Sequence, residues 1–160
     1  MMKYSRLFLL TVCLFLPIFG SHSRLHASGK CQSLVPVGGE PGQVRVDKTA
    51  SPPSVPIGFA SLKRDNWNTD FAIPSNNRFK RYVGILTPRT GGTYSVRMYL
   101  KYSNGSADEV YGDKPNLTSD KPLEMSGSPR VGQEPYQVNI FVGDAESIGK
   151  SYEIKALACQ

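Results

Sequence analysis

Thr93-Tyr94-Ser95-Val96-Arg97-Met98-Tyr99-Leu100-Lys101-Tyr102, continued by Ser103-Asn104-Gly105-Ser106 and Ala107-Asp108-Glu109-Val110-Tyr111, decides the fold class. Tyr94, Val96, Met98, Leu100 and Tyr102 alternate with Ser95, Arg97, Tyr99 and Lys101, the period of a strand with one buried face. Asn104-Gly105 signals a hairpin, because a type I′ turn needs positive φ at both central residues. A two-residue turn there sets Lys101 opposite Asp108 and Tyr99 opposite Val110, so that charges match across a rung. It also sets Leu100 against Glu109, which predicts that the turn end projects into water.

The same alternation recurs outward from this hairpin. Tyr136, Val138, Ile140 and Val142 alternate with Gln137, Asn139 and Phe141, and Tyr152, Ile154 and Ala156 with Glu153 and Lys155. Weaker strands are expected at 43–46, 55–59, 70–73, 82–87 and 123–126. Pro52, Pro53, Pro56, Pro74, Pro88, Pro115, Pro122, Pro129 and Pro135 break every window of helical length. About eight short strands with frequent turn signals predict an all-β, antiparallel β-sandwich, immunoglobulin-like or jelly-roll-like, with almost no helix.

Gly91-Gly92-Thr93-Tyr94-Ser95-Val96 resembles the turn-then-tyrosine start of a core strand in immunoglobulin-like and related extracellular modules, and Gly149-Lys150-Ser151-Tyr152-Glu153-Ile154 repeats it. The resemblance implies an architecture and no activity. The cysteines depart from the immunoglobulin pattern, in which the bridge pins two central strands around a tryptophan.

The start of the chain reads as an export signal. Lys3 and Arg6 precede an apolar run from Leu7 to Phe19, which falls short of the roughly 20 apolar residues a membrane span needs. Cleavage is expected after Ser23, or after Ala27. Residues 24–42 then form an extended segment carrying Cys31, and residues 43–160 a single sandwich domain. Removing Lys3 and Arg6 leaves 17 basic residues against 13 acidic ones, a net +4. No second apolar stretch suggests a transmembrane segment in the mature chain, which is expected to be secreted or periplasmic. Cys31 and Cys159, near its two ends, predict a disulfide closing the domain.

Residue content excludes much familiar chemistry. His26 is the one histidine beyond the signal, so hydrolysis through a positioned imidazole and the usual zinc shells lack their parts. No D-x-[DN]-x-[DN]-G calcium loop is present, and no cofactor is expected. Gly143 to Ser151 mimics a phosphate-binding loop, but Asp144 stands where that motif needs glycine, and the segment runs into a strand. Ser147-Ile148-Gly149-Lys150 spells S-x-x-K without the elements that accompany it in penicillin-recognising enzymes. Asp65, Asp70, Asp108, Glu109 and Asp113 remain as carboxylates for a glycosidase pair. The chain is expected not to be an enzyme.

Surface recognition remains. Residues 63–101 hold eight basic residues against two acidic ones, and residues 102–134 three against six. Arg97, Tyr99 and Lys101 share the outward side of the long strand, and Arg78, Lys80 and Arg81 precede another strand. Together they form a candidate cationic patch for a protein partner or an anionic surface, whether acidic polysaccharide or lipid headgroups; nucleic acid is not expected. The alternative site is centred on Trp67, flanked by Asn66, Asn68 and Asp70, whose amides and carboxylate suit sugar hydroxyls while the indole stacks on a sugar face. Asn104-Gly105-Ser106 and Asn116-Leu117-Thr118 match the glycosylation sequon. The expected function is a non-catalytic binding or accessory protein of an extracytoplasmic assembly, with a carbohydrate-binding module as its rival and a small hydrolase third.

Overall fold

A computed structural model describes residues 30–52, 67–75 and 78–160. The expected signal peptide, both cleavage positions, His26, the strand expected at 55–59, Asp65 and Asn66 lie outside the described residues. The described chain is an all-β antiparallel sandwich of two five-stranded sheets. The first sheet runs β1 (Cys31–Ser33), β12 (Ser151–Cys159), β5 (Arg81–Pro88), β10 (Leu123–Gly127), with β3 (Val46–Thr49) also pairing β12. The second runs β2 (Val35–Pro36), β4 (Asn68–Ala72), β11 (Gln137–Val142), β7 (Val96–Lys101), β8 (Ala107–Asp113). A small two-stranded sheet joins β6 (Gly92–Thr93) to β9 (Asn116–Leu117).

Alternation in sequence becomes the core. Val96, Met98 and Leu100 from β7, Val138, Ile140 and Val142 from β11, and Tyr152, Ile154, Ala156 and Ala158 from β12 are all fully buried. At the centre the sheets approach closely: a Cβ on Gly84 of β5 would stand 2.9 Å from Ile140 Cδ1 and 3.0 Å from Met125 Cε, so a side chain there would require these ends to shift. Tyr94 donates its hydroxyl to Thr90 O at 2.5 Å and meets Tyr152 edge to face at 6.2 Å. The tyrosine at the fourth position of each repeated hexapeptide is thus a core anchor.

Cys31 stands directly opposite Cys159 in the β1–β12 register, and the two form a disulfide across 128 residues of sequence. Along one side of the sandwich, β8 and β10 touch through Val110 and Gly127. Along the other, the sheets are bridged by Lys48, whose ammonium donates to Asn68 O at 2.7 Å and Thr69 Oγ1 at 3.0 Å.

The hairpin differs from its sequence-based register. Only Gly105 of the turn has positive φ, +82°, and Gly105 N donates to Tyr102 O at 3.0 Å, a type I turn followed by a left-handed glycine. The loop therefore has three residues, and Lys101 faces Ala107, Leu100 faces Asp108 and Tyr99 faces Glu109. Asn104 accepts from Ser106 N and Oγ through Oδ1 at 3.0 and 2.7 Å, which stabilises the turn without type I′ geometry. A bulge between Met98 and Tyr99 takes up the extra residue, Val110, and returns Tyr111 opposite Met98. The expected Lys101–Asp108 rung does not form: Asp108 pairs with Arg130 at 2.6 Å and Lys101 with Asp70 at 2.9 Å.

Candidate functional site

The outward face of the second sheet gathers residues from four strands, because β11 lies between β4 and β7. Register fixes the rows. Asn139 stands between Asp70 and Tyr99, with Glu109 beyond; Phe141 stands between Asn68 and Arg97; Gln137 stands between Ala72 and Lys101. Val35, paired with Ala72, and Val37, whose amide donates to Asp70 O at 2.8 Å, continue the face onto the β2 edge. Their 43% and 60% exposure marks an apolar border beside a polar centre.

That centre is interlocked. Asp70 Oδ1 accepts from Lys101 Nζ at 2.9 Å and from Asn139 Nδ2 at 2.7 Å. Asn139 is only 3% exposed although it points away from the core, so its amide is desolvated by these neighbours and depends on Asp70. Tyr99 donates its hydroxyl to Glu109 Oε2 at 2.8 Å. Hydrogen bonding to Tyr99, with the field of its hydroxyl and of Glu109, holds the Arg97 guanidinium above its ordinary range. Arg97 lies over the Phe141 ring, 5.7 Å from its centroid.

Trp67 sits beneath this layer. Its indole meets Phe141 edge to face at 5.7 Å, donates Nε1 to Ser51 O at 2.6 Å, and packs against the core and Gly143, where a Cβ would come within 2.1 Å of the ring. One face and the N–H are therefore occupied by the protein itself, and the ring carried outward is Phe141.

The two expected sites are not laid out as the sequence suggested. Arg97, Tyr99 and Lys101 share a face with Asn68 and Asp70, so half of the cationic patch and half of the sugar site are one surface. Arg78, Lys80 and Arg81 do not join it. Arg81 begins β5 and faces outward from the first sheet, with Arg78 and Lys80 exposed just before it. Alternation along a strand reveals its outward side chains, but which sheet holds the strand depends on order, so a six-residue patch could not be assembled from spacing. Lys101 is also balanced by Asp70, which removes its charge from any cationic surface. Asn139, Gln137 and Phe141 were legible as the outward set of β11; their place between the two candidate groups was not.

Carboxylates named for a glycosidase pair have other partners. Asp70 holds Lys101 and Asn139, Glu109 holds Tyr99, Asp113 accepts from Lys114 N at 2.7 Å, and Asp108 binds Arg130 through two bonds of 2.6 and 2.8 Å. Arg130 keeps the Asp108 carboxyl below its ordinary range. Among the described residues, no three His, Cys, Asp or Glu gather to hold a metal, and no helix is long and apolar enough to cross a membrane.

No family model matches the chain, and no curated protein matches it. Among solved structures it is similar to three mutant forms of CBM29-2, described as probing ligand recognition by family 29 carbohydrate-binding modules. They share 15 to 16% identity and a TM-score of 0.44 with it, over 82% of this chain and 90 to 91% of theirs. At that depth the likeness carries nothing about what this chain binds.

Proposed function

We propose that this chain is an exported, non-catalytic carbohydrate-binding protein that receives a neutral polysaccharide on the outward face of its second sheet. One observation supports the reading: the Asp70–Lys101–Asn139 lock lies beside Tyr99 and the Arg97–Phe141 stack on a single face. A sugar presents hydroxyls around patches of C–H. Binding it favours polar groups ordered in advance, since ordering them on contact subtracts from affinity. Flat groups at their side match the C–H patches: Tyr99 supplies a ring with a polar tip, and the guanidinium of Arg97 supplies a plane edged with donors.

Charge points the same way. Lys101 is balanced by Asp70, and Glu109 lies beside Arg97 and Tyr99, so the face offers paired ions and dipoles in place of a one-sign field that would steer an anion. The carboxylates there are engaged in bonds that order the surface, which favours binding over hydrolysis. Export is supported by the leader-like start and by the Cys31–Cys159 bridge, a bond that persists in oxidising compartments.

Affinity electrophoresis tests this with soluble cellulose, mannan, xylan and laminarin derivatives against pectate and heparin, at low and high salt. The expected result is retardation by at least one neutral polymer, unchanged by salt, and weakened about tenfold by Tyr99→Ala or Phe141→Ala, a loss of about 1.4 kcal/mol. Retardation confined to the acidic polymers and abolished by salt would replace this function with docking on an anionic surface.

A further inference from the structure

Opposite the β8–β10 contact, the sheets part around a groove of about 350 Å³ whose walls include Val37, Gly39, Gln43, Lys48, Asn68 and Asp70. Asn68 and Asp70 also belong to the outward face of the second sheet, so the groove is the continuation of that face past its β2 edge. We infer that it is a terminal subsite seating one further sugar residue of a chain that lies on the face, an inference that rests on the carbohydrate function proposed above.

Size sets the scale. A volume near the bottom of the roughly 300–1,000 Å³ span of small-ligand pockets has room for one ring and little more. The walls are formed in advance. Gly39 N donates to Pro36 O at 3.0 Å, Gln43 Oε1 accepts from Glu40 N at 3.0 Å, and Gln43 Nε2 donates to Arg45 O at 3.0 Å. The loop between β2 and β3 is thereby folded on itself by the oxygen and the nitrogen of one side-chain amide. Lys48 braces the groove from β3, with its ammonium bonded to Asn68 O and Thr69 Oγ1. Val37, 60% exposed, supplies an apolar lip, and Asp70 stands where the polar lock meets the groove. Its place at one border makes the binding face directional: a bound chain would have one end held in a recess and the other lying beside Glu109 on the β8 edge.

NMR titration of the full chain with cellohexaose, mannohexaose, xylohexaose and laminarihexaose tests the inference. With at least one hexasaccharide, the Asn139 side-chain amide and Tyr99 signals should move together with the Gly38 and Gly39 amides and the Gln43 side-chain amide. Val37→Trp, which fills the lip, should silence the groove signals and weaken that hexasaccharide about tenfold while the Asn139 signal still responds. Movement at Asn139 and Tyr99 with a silent groove would overturn the subsite and leave the carbohydrate function standing. Silence at Asn139 and Tyr99 with all four sugars would overturn both.

Discussion

Lys101 of β7 reaches across β11 to Asp70 of β4, with Nζ 2.9 Å from Oδ1, and the same oxygen accepts the Asn139 amide at 2.7 Å. The ion pair itself is one-third exposed, at 32% and 33%, and solvent screens it to about 0–1 kcal/mol. Asn139 is the costly member, because its buried amide loses its acceptor when Asp70 is removed. Asp70→Ala should therefore destabilise the fold by about 1–3 kcal/mol, and Lys101→Ala by less than about 1 kcal/mol. Urea denaturation of both variants checks the order; equal losses would show that the ion pair, and not the amide, dominates.

The hairpin turn makes a second prediction. Gly105 at φ +82° sits where any Cβ is disfavoured, whereas Asn104 has ordinary φ and serves through its side-chain acceptor. Gly105→Ala should cost about 1 kcal/mol or somewhat more, and Asn104→Gly clearly less. A type I′ turn, with positive φ at both central residues, would make Gly105→Ala costly as well but Asn104→Gly stabilising. Thermal melts of the two variants decide between them.

Acid should loosen the loop that carries Arg130. Asp108 is held below its ordinary carboxyl value of 3.8 by the Arg130 hydrogen bonds. A carboxyl whose folded-state pKa is depressed contributes stability that is complete above the unfolded value and fades as pH falls through the folded one. The contribution is thus present above about pH 4 and lost below it, in step with release of the 128–135 segment from the hairpin. Asp108→Asn should lower the melting temperature at pH 7 and flatten its dependence between pH 4 and 2. An unchanged acid profile in that variant would assign the acid sensitivity to another carboxyl.

How much of this was legible in the chain follows from the range of each interaction. Period-two alternation is local, so the buried sets of β7, β11 and β12 were readable, and so was the pairing of Cys31 with Cys159. Some details yielded to local chemistry that alternation cannot weigh. Asn104-Gly105 suits both a two-residue and a three-residue loop, and the bulge at Val110 compensates for the choice. Tyr136 shares the alternation of β11 yet is 51% exposed, because it lies just before the strand where the core has ended. Strand order is non-local, and the candidate site depends on it: β4, β11 and β7 are far apart in sequence, and their adjacency alone turns Asp70, Asn139 and Lys101 into one group.

The disulfide gives a stability prediction independent of the site. Tying residues 128 apart restricts the unfolded chain, and losing a bridge of this kind costs about 2–5 kcal/mol. Cys31→Ser combined with Cys159→Ser should shift the urea midpoint accordingly, while the Tyr99 and Asn139 signals keep their folded positions below the new midpoint. Loss of those signals without denaturant would mean that β1 docking is required for the second sheet to form.

Trp67 and Phe141 divide the work of the aromatic cluster, and the division can be measured. Trp67 packs on the core and Gly143 and spends its N–H on Ser51 O, so Trp67→Ala should cost about 2–4 kcal/mol, in the range of large-to-small changes at partly collapsible sites. Phe141 projects outward between Asn68 and Arg97, and Phe141→Ala should cost under about 1 kcal/mol of stability while weakening polysaccharide retardation about tenfold, or about 1.4 kcal/mol. Trp67→Phe keeps most of the packing and removes the Nε1 bond, so it should lose about 1 kcal/mol of stability and retain polysaccharide binding. If Trp67→Phe abolishes retardation and Phe141→Ala leaves it intact, the indole itself is the platform, and the sugar must approach from the end of the sandwich instead of its face.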